Sequence, residues 1–334
     1  MNKLALVIVI PMLVMLLLCG CSGNRTDLDY EKMLTEPEEP NAQAEKRLRV
    51  GFSQMENNMP WRIAETKSIK EEAEKRNIEL IMTDAQSSVE KQVADVIHLV
   101  EQDVDYILLA PRQERGFEPA LAAAKEAEIP VILIDRWVAG VPGEDYVSFI
   151  GSDHVREGRW VAEWLRKATG GEANIIELRG TDGSSVAIAR KQGFEEYINL
   201  YPGMQIIDSE SANFTRSEGK KVMENFIQKH GDAITAVFAH NDEMAIGAIQ
   251  ATKAIGKVPG EDIIFVSIDG EKDALKAIIA GELGCSVECS PFFGPIAFDV
   301  IEKLERGEKV PKNVVNEDRI FDITNAELYI DEAF

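Results

Sequence analysis

From Arg47 onward the chain alternates short apolar runs with longer amphipathic stretches. "LRVGFS", "IELIMTD", "YILLAP", "PVILID" and "YVSFIGSD" read as strands. The segments between them read as helices. One starts near Pro60, a favoured first helical position. A second follows Ser87, which forms a capping-box pattern with Glu90. Its apolar stripe is Val89, Val93, Val96, Ile97 and Val100, with His98 among them. A third runs through "EPALAAAKEA". The series then restarts at Asp153, which can cap a helix carrying Trp160, Val161, Trp164 and Leu165. Strands "ANIIELRG", "MQIIDSES", "ITAVFAHN", "DIIFVSIDG" and "CSVECS" follow, separated by four further helices.

Strand-helix alternation predicts a parallel sheet with helices on both faces. Two series of it predict an α/β protein of two doubly wound parallel-sheet lobes. In open sheets of this kind ligands bind beyond the carboxyl ends of the strands. Those ends are Ser53 to Arg62, Ala110, Asp135-Arg136, Gly180 to Arg190, Phe214, His240-Asn241-Asp242 and Asp269-Gly270.

One of these ends is peculiar. Val131 to Ile134 read as a strand buried on both faces, yet the next residues are Asp135 and Arg136. Neighbours on a strand point to opposite sheet faces. Both can meet one ligand only if the strand has ended and the chain turns there. The polar strand ends together make a sugar-like recognition set. Adjacent hydroxyls call for planar groups that bond in pairs, and CH faces call for aromatic rings. Trp61 and Phe214 are the candidate rings. Arg62, Asp135, Arg136, Arg190, Asn241 and Asp269 are the candidate polar groups. Each has a plainer use: a helix staple for Trp61, core for Phe214, ordinary exposure for Arg62 and Arg190. Asn241 is a good N-cap, and Asp269 suits a turn.

Charge narrows the partners. Lys and Arg number 36 against 58 Asp and Glu, a formal net charge of −22. That disfavours nucleic acid, which needs a surplus of basic residues on some face. It also disfavours adsorption to anionic lipid and suits a self-repelling monomer. The chain's beginning is a targeting segment: one Lys, then an apolar stretch from Leu4 to Leu18, short of the about 20 residues a bilayer takes. It closes in Leu18-Cys19-Gly20-Cys21, which resembles a bacterial lipobox. The expectation is a signal peptide over residues 1–20, lipid on Cys21, and a flexible acidic tether over 21–46. The 25 residues after Cys21 reach roughly 80 Å when extended. Two cysteines remain, Cys285 and Cys289. On one strand they are about 13 Å apart, beyond disulfide reach. They are expected as free, packed thiols.

No HExxH, GxSxG, Walker or GxGxxG pattern is present. The histidines lack metal-ligand spacing, and His154, opening a helix, is expected in solvent. No cofactor, metal or catalytic residue is expected.

At the polar strand ends the sequence resembles the periplasmic sugar-binding proteins of ABC importers, of the ribose-binding type. "EIPVILIDR", "IIELRGTDGSSVAIARKQGF", "FTRSEGKKVMENF", "VFAHNDEMAIGAIQA" and "IIFVSIDG" occur in the family's order, from about residue 47 to the end. "VGFSQ", "WRIAET", "VAIARKQGF", "NFTRSEGK" and "SVE" place it nearest the galactofuranose-binding branch. The resemblance implies a periplasmic binding protein type I fold with a three-strand hinge. The first lobe would take residues 47–150 plus 290–319, the second 151–289 plus 320–334. Asn58, Trp61, Arg62, Asp135 and Arg136 would face the sugar from the first lobe, and Arg190, Phe214, Asn241 and Asp269 from the second. It further implies a monosaccharide ligand, lobe closure, and delivery to the permease subunits of an ABC transporter. Ala110, where ribose binders carry an amide, and Glu288-Cys289, where they carry Gln, argue against ribose. A sugar-sensing receptor that signals to a membrane kinase or chemoreceptor is the alternative. A LacI-type regulator would need a DNA-binding head where the lipobox stands, and no glycosidase activity is expected.

Overall fold

A computed structural model describes residues 47–334. The expected signal peptide, Cys21 and the tether lie outside the described residues. Residues 47–334 form one compact unit. The first strands are β1 (Arg49–Gln54), β2 (Glu79–Asp84), β3 (Tyr106–Ala110), β4 (Val131–Ile134) and β5 (Ser148–Gly151). Helices α1 (Pro60–Lys75), α2 (Val89–Glu101) and α3 (Glu118–Glu126) connect them. The series then repeats as α4 (His154–Thr169), β6 (Ala173–Arg179), α5 (Ser185–Ile198), β7 (Met204–Ser211), α6 (Arg216–His230), β8 (Ala236–Ala239), α7 (Asp242–Ala254), β9 (Ile264–Asp269), α8 (Lys272–Ile279) and β10 (Cys285–Glu288). The chain closes with α9 (Gly294–Glu305), β11 (Asn313–Val315), β12 (Ile320–Asp322) and α10 (Ala326–Tyr329).

Two six-stranded sheets result, in the orders β11-β5-β4-β3-β1-β2 and β12-β10-β9-β8-β6-β7. The first five strands of each series take the same order, which reverses at the first strand of that series. At that reversal the loops diverge and leave a crevice at the carboxyl ends. The chain passes between sheets three times, at residues 152–153, 289–293 and 316–319. The inner strands are buried on both faces, which their unbroken "YILLA", "VILI" and "AVFA" runs require.

Four local readings differ from the sequence expectation. The cap of α2 is Ser88, whose hydroxyl accepts the Lys91 N–H at 3.1 Å. Ser87 instead donates to the Glu56 carboxylate. His98 is exposed, because Gln92, Val96 and Leu99 make the buried stripe of α2. The short strand β11 lacks an apolar run and joins β5 at the sheet edge. Strand β12 pairs with β10 antiparallel, so the second sheet is not wholly parallel.

Two glycines set the lobe-two geometry. A Cβ on Gly158 would overlap the Arg190 carbonyl, and one on Gly193 the Val155 carbonyl. Their absence lets α4 and α5 pack backbone to backbone. That contact brings Glu157 and Arg190 together.

Candidate functional site

The peculiar strand end resolves into a turn. Asp135 has φ +64°, and the Arg136 N–H donates to the Ile134 carbonyl at 2.7 Å. This is a γ-turn centred on Asp135, a strained conformation. It aims both side chains at one cavity. Phe214 (φ +62°) and Asp269 (φ +132°) also sit at positive φ. Such strain persists where surrounding structure over-determines it, and it clusters at functional sites.

The cavity lies between the two sheets, at the carboxyl ends of their strands. Trp61, Arg62, Asp135, Arg136, Arg190, Phe214, Asn241 and Asp269 line it, none more than 7% exposed. Eight of the nine side chains expected from the sequence thus converge. Asn58 does not; it is exposed and lines a separate opening with Met59, Thr215 and Lys220. Met59, Val186 and Cys289 complete the wall. Nothing in their sequence context marked them, since apolar residues beside a strand end look like core.

Arg62 and Asp135 form the lobe-one half. Arg62 bonds Asp135 Oδ2 at 2.5 Å and Glu65 Oε2 at 2.8 Å. Gln54 also donates to Glu65 Oε2, at 2.8 Å. The Arg62 guanidinium lies 4.6 Å from the Trp61 ring, and the indole N–H donates to the Cys289 carbonyl at 2.8 Å. Burial works against both charges. Asp135 and Glu65 nonetheless hold Arg62 above its ordinary pKa, and Arg62, Arg136 and His154 hold Asp135 below its own. Arg136 donates to the Arg112 carbonyl at 2.7 Å and sits 5.3 Å from the Phe214 ring. Burial, then neighbouring Arg62, push Arg136 down to about 9, still charged at neutral pH. Its Nε is buried without a hydrogen bond, and Asp135 Oδ2 is 3.4 Å away.

Arg190 organises the lobe-two half. It bonds Glu157 Oε2 at 2.8 Å, Asp269 Oδ1 at 3.1 Å and the His240 carbonyl. Burial raises Asp269 well above its ordinary value; Arg190 opposes this, while Asp242 and Glu157 add to it. Asn241 caps α7 through the Met244 N–H and donates to the Phe214 carbonyl at 3.1 Å. Its structural and ligand-facing uses are compatible, since each amide atom has spare capacity. Gly180 makes room for Phe214: a Cβ there would overlap the ring.

His154 is buried, contrary to expectation, with the Trp137 ring stacked 6.0 Å away. It is the first residue of α4, but the crossover folds it inward. His154, Glu157 and Cys289 lie close enough to share a metal ion. They do not suit one. Both His nitrogens are engaged, Glu157 holds Arg190, and burial pushes the Cys289 thiol well up. Cys285 and Cys289 are both free and buried. Sequence reasoning missed this supporting layer; the i,i+3 spacing of Arg62/Glu65 and His154/Glu157 is the signal that could have found it.

The lobes meet at the rim. Glu114 N–H donates to the Gly183 carbonyl at 2.9 Å, and Trp137 N–H to Ser185 Oγ at 3.2 Å. The buried charges are paired, so the cavity has little field to spare for an ion. It offers planar hydrogen-bonding groups and two rings to a neutral, polar guest.

Two like parallel-sheet lobes flanking one buried polar cavity are the architecture of a two-lobe solute-binding protein. The chain belongs to the periplasmic binding protein family: residues 50–309 match the family described as periplasmic binding protein domain. It is 44% identical to the galactofuranose-binding protein YtfQ of Escherichia coli (strain K12) over 289 residues, 86% of this chain and 89% of that one. The ribose import binding protein RbsB of Bacillus subtilis (strain 168) is 35% identical over 275 residues, covering 82% of this chain and 87% of its own. Among solved structures, the arabinose transporter component of Shewanella sp. ANA-3, bound to L-arabinofuranose, superposes with a TM-score of 0.82 at 40% identity. That match covers 85% of this chain and 95% of the other. Among the described residues no helix is long and apolar enough to cross a membrane.

Proposed function

We propose that this chain is an extracytoplasmic, lipid-anchored receptor that captures a furanose monosaccharide of the galactofuranose kind. Cys21 carries the lipid, residues 21–46 form the leash, and the folded part works as a monomer. The two lobes close on the sugar and hand it to the permease of an ABC importer. The observation that carries the reading is the cavity itself. Asp135 and Asp269, on opposite sheets, offer carboxylate oxygens beside Arg62, Arg136 and Arg190, with Trp61 and Phe214 at the walls. Near charge balance favours a neutral guest, and paired oxygens and guanidinium N–H groups suit adjacent hydroxyls. Relatives named for galactofuranose and arabinofuranose support the five-membered ring.

Calorimetric titration of residues 47–334 with D-galactose, L-arabinose and D-ribose tests it. One-to-one binding of galactose or arabinose, tighter than ribose, supports the reading. Silence with all three would overturn it.

A further inference from the structure

One buried, titratable group stands behind the cavity and bridges the lobes. His154 Nδ1 lies 3.0 Å from Glu157 Oε2, and its Nε2 lies 2.9 Å from the Asp135 carbonyl oxygen. The carbonyl can only accept. Glu157 Oε2 accepts from Arg190 Nε at 2.8 Å, and against the effect of burial Arg190 and His154 hold the Glu157 carboxyl down at about 2, so it is ionised and only accepts. Both ring nitrogens therefore face acceptors, and only an imidazolium satisfies the two. A neutral ring would leave a lone pair against one of these oxygens in a buried place.

We propose that His154 is a positioning residue for the ligand site: as an imidazolium it ties the Asp135 turn of the first lobe to Glu157, Arg190 and Asp269 of the second. The bond to the Asp135 carbonyl fixes the strained turn from outside the cavity. The bond to Glu157 continues through Arg190 to the Asp269 carboxylate. One run of hydrogen bonds thus joins the Asp135 main-chain carbonyl to the Asp269 carboxylate.

The surroundings favour the charge. Burial opposes it, but Glu157 outweighs that, and the His154 pKa lies above its ordinary value. Glu157 on the same helix and Asp135 on the turn add negative charge; Arg190 on α5 subtracts from it. Asp318 of the 316–319 crossover also feels His154, and the Cys289 thiol of the 289–293 crossover lies beside it. A His whose folded pKa is raised stabilises the fold fully below the unfolded pKa and loses that contribution as pH rises through the folded one. Grip on the ligand should fade as pH rises through that folded pKa.

The test has two arms, of which the affinity arm alone rests on the sugar reading. Nitrogen-15 NMR of residues 47–334, with His154→Gln to assign the ring, should show both His154 nitrogens protonated at pH 7. A single protonated nitrogen at that pH would overturn the proposal. In the second arm D-galactose is titrated calorimetrically between pH 6 and 8.5. Wild type should weaken by about tenfold, the loss of one charge-assisted bond. His154→Gln should bind more weakly at low pH and lack that slope. Asp318 and Arg136 titrate in or near this range in both proteins; because Asp318 also feels His154, the Asp318→Asn background, with and without His154→Gln, separates the two groups. Parallel profiles would refute the coupling. If galactose binds neither protein, the sugar reading fails and the nitrogen count still decides this one. If His154→Gln does not fold, the wild-type spectrum decides it alone.

Discussion

Replacing Asp135 by Asn isolates the charge at the centre of the site. Asn tolerates the positive φ that Asp135 adopts, so the γ-turn is kept. The side-chain oxygen can still accept from Arg62. What changes is the balance: Arg62 would keep Glu65 alone, and Arg136 would lose the carboxylate it pairs with. A charged hydrogen bond is worth about 1.5–3 kcal/mol, so the sugar should bind roughly 10- to 150-fold more weakly. Stability should fall as well, because breaking a buried ion pair from one side costs about 3–5 kcal/mol and the retained bond recovers part of it. Calorimetry against D-galactose and a thermal melt, run together, read both losses. A drop in melting temperature with unchanged affinity would make Asp135 a structural residue only. Unchanged melting and affinity would refute the electrostatic account of the cluster.

Three further expectations concern separate parts of the fold. Gly180→Ala should displace the Phe214 ring and cost about 1–3 kcal/mol, read as weaker sugar binding and a lower melting temperature; an unaltered ligand titration would remove Phe214 from the cavity wall. Asp318 lies in the third crossover, accepts from Ser152 Oγ at 2.9 Å, and is pushed up to about 7, by burial first and then by Glu157. A raised carboxyl holds its proton in the folded state after the unfolded chain has lost it, so stability falls as pH rises from about 4 towards 7. Asp318→Asn should therefore melt higher than wild type at pH 8 and near wild type at pH 4; equal gains at both would show that titration is not the cause. Cys285 and Cys289 should resist a thiol reagent in the folded protein and react as two equivalents in denaturant, because burial raises both thiols well above their ordinary range. Fast labelling of the folded chain would contradict their packing.

Much of this was readable from residue order. The unbroken apolar run before Asp135 forced a buried strand, and an acid-base pair after it implied a turn, which the γ-turn provides. The lobe pattern was legible because each strand-helix unit carries its own periodicity. Long-range closure was less legible. Strand β11 has only three residues and no apolar run, so its pairing with β5 is set by tertiary contact. His154 reads as a helix start, where side chains usually meet water. Its burial follows from the crossover and from Trp137 packing over it, neither of which has a local signature. Asn58 shows the converse. It stands one turn before Trp61 and shares that strand end, yet the loop turns it outward to the neighbouring opening.

The account's central claim is that the two lobes enclose one furanose sugar. Carbon-13 NMR of [1-13C]-D-galactose mixed with residues 47–334 tests it directly, because the anomeric carbon reports ring size in the bound state. The expected result is a single bound resonance in the furanose region, drawn from the minor furanose form in solution. A bound resonance from the six-membered ring would contradict the ring assignment, and the absence of any bound resonance with protein in excess would contradict capture of this sugar.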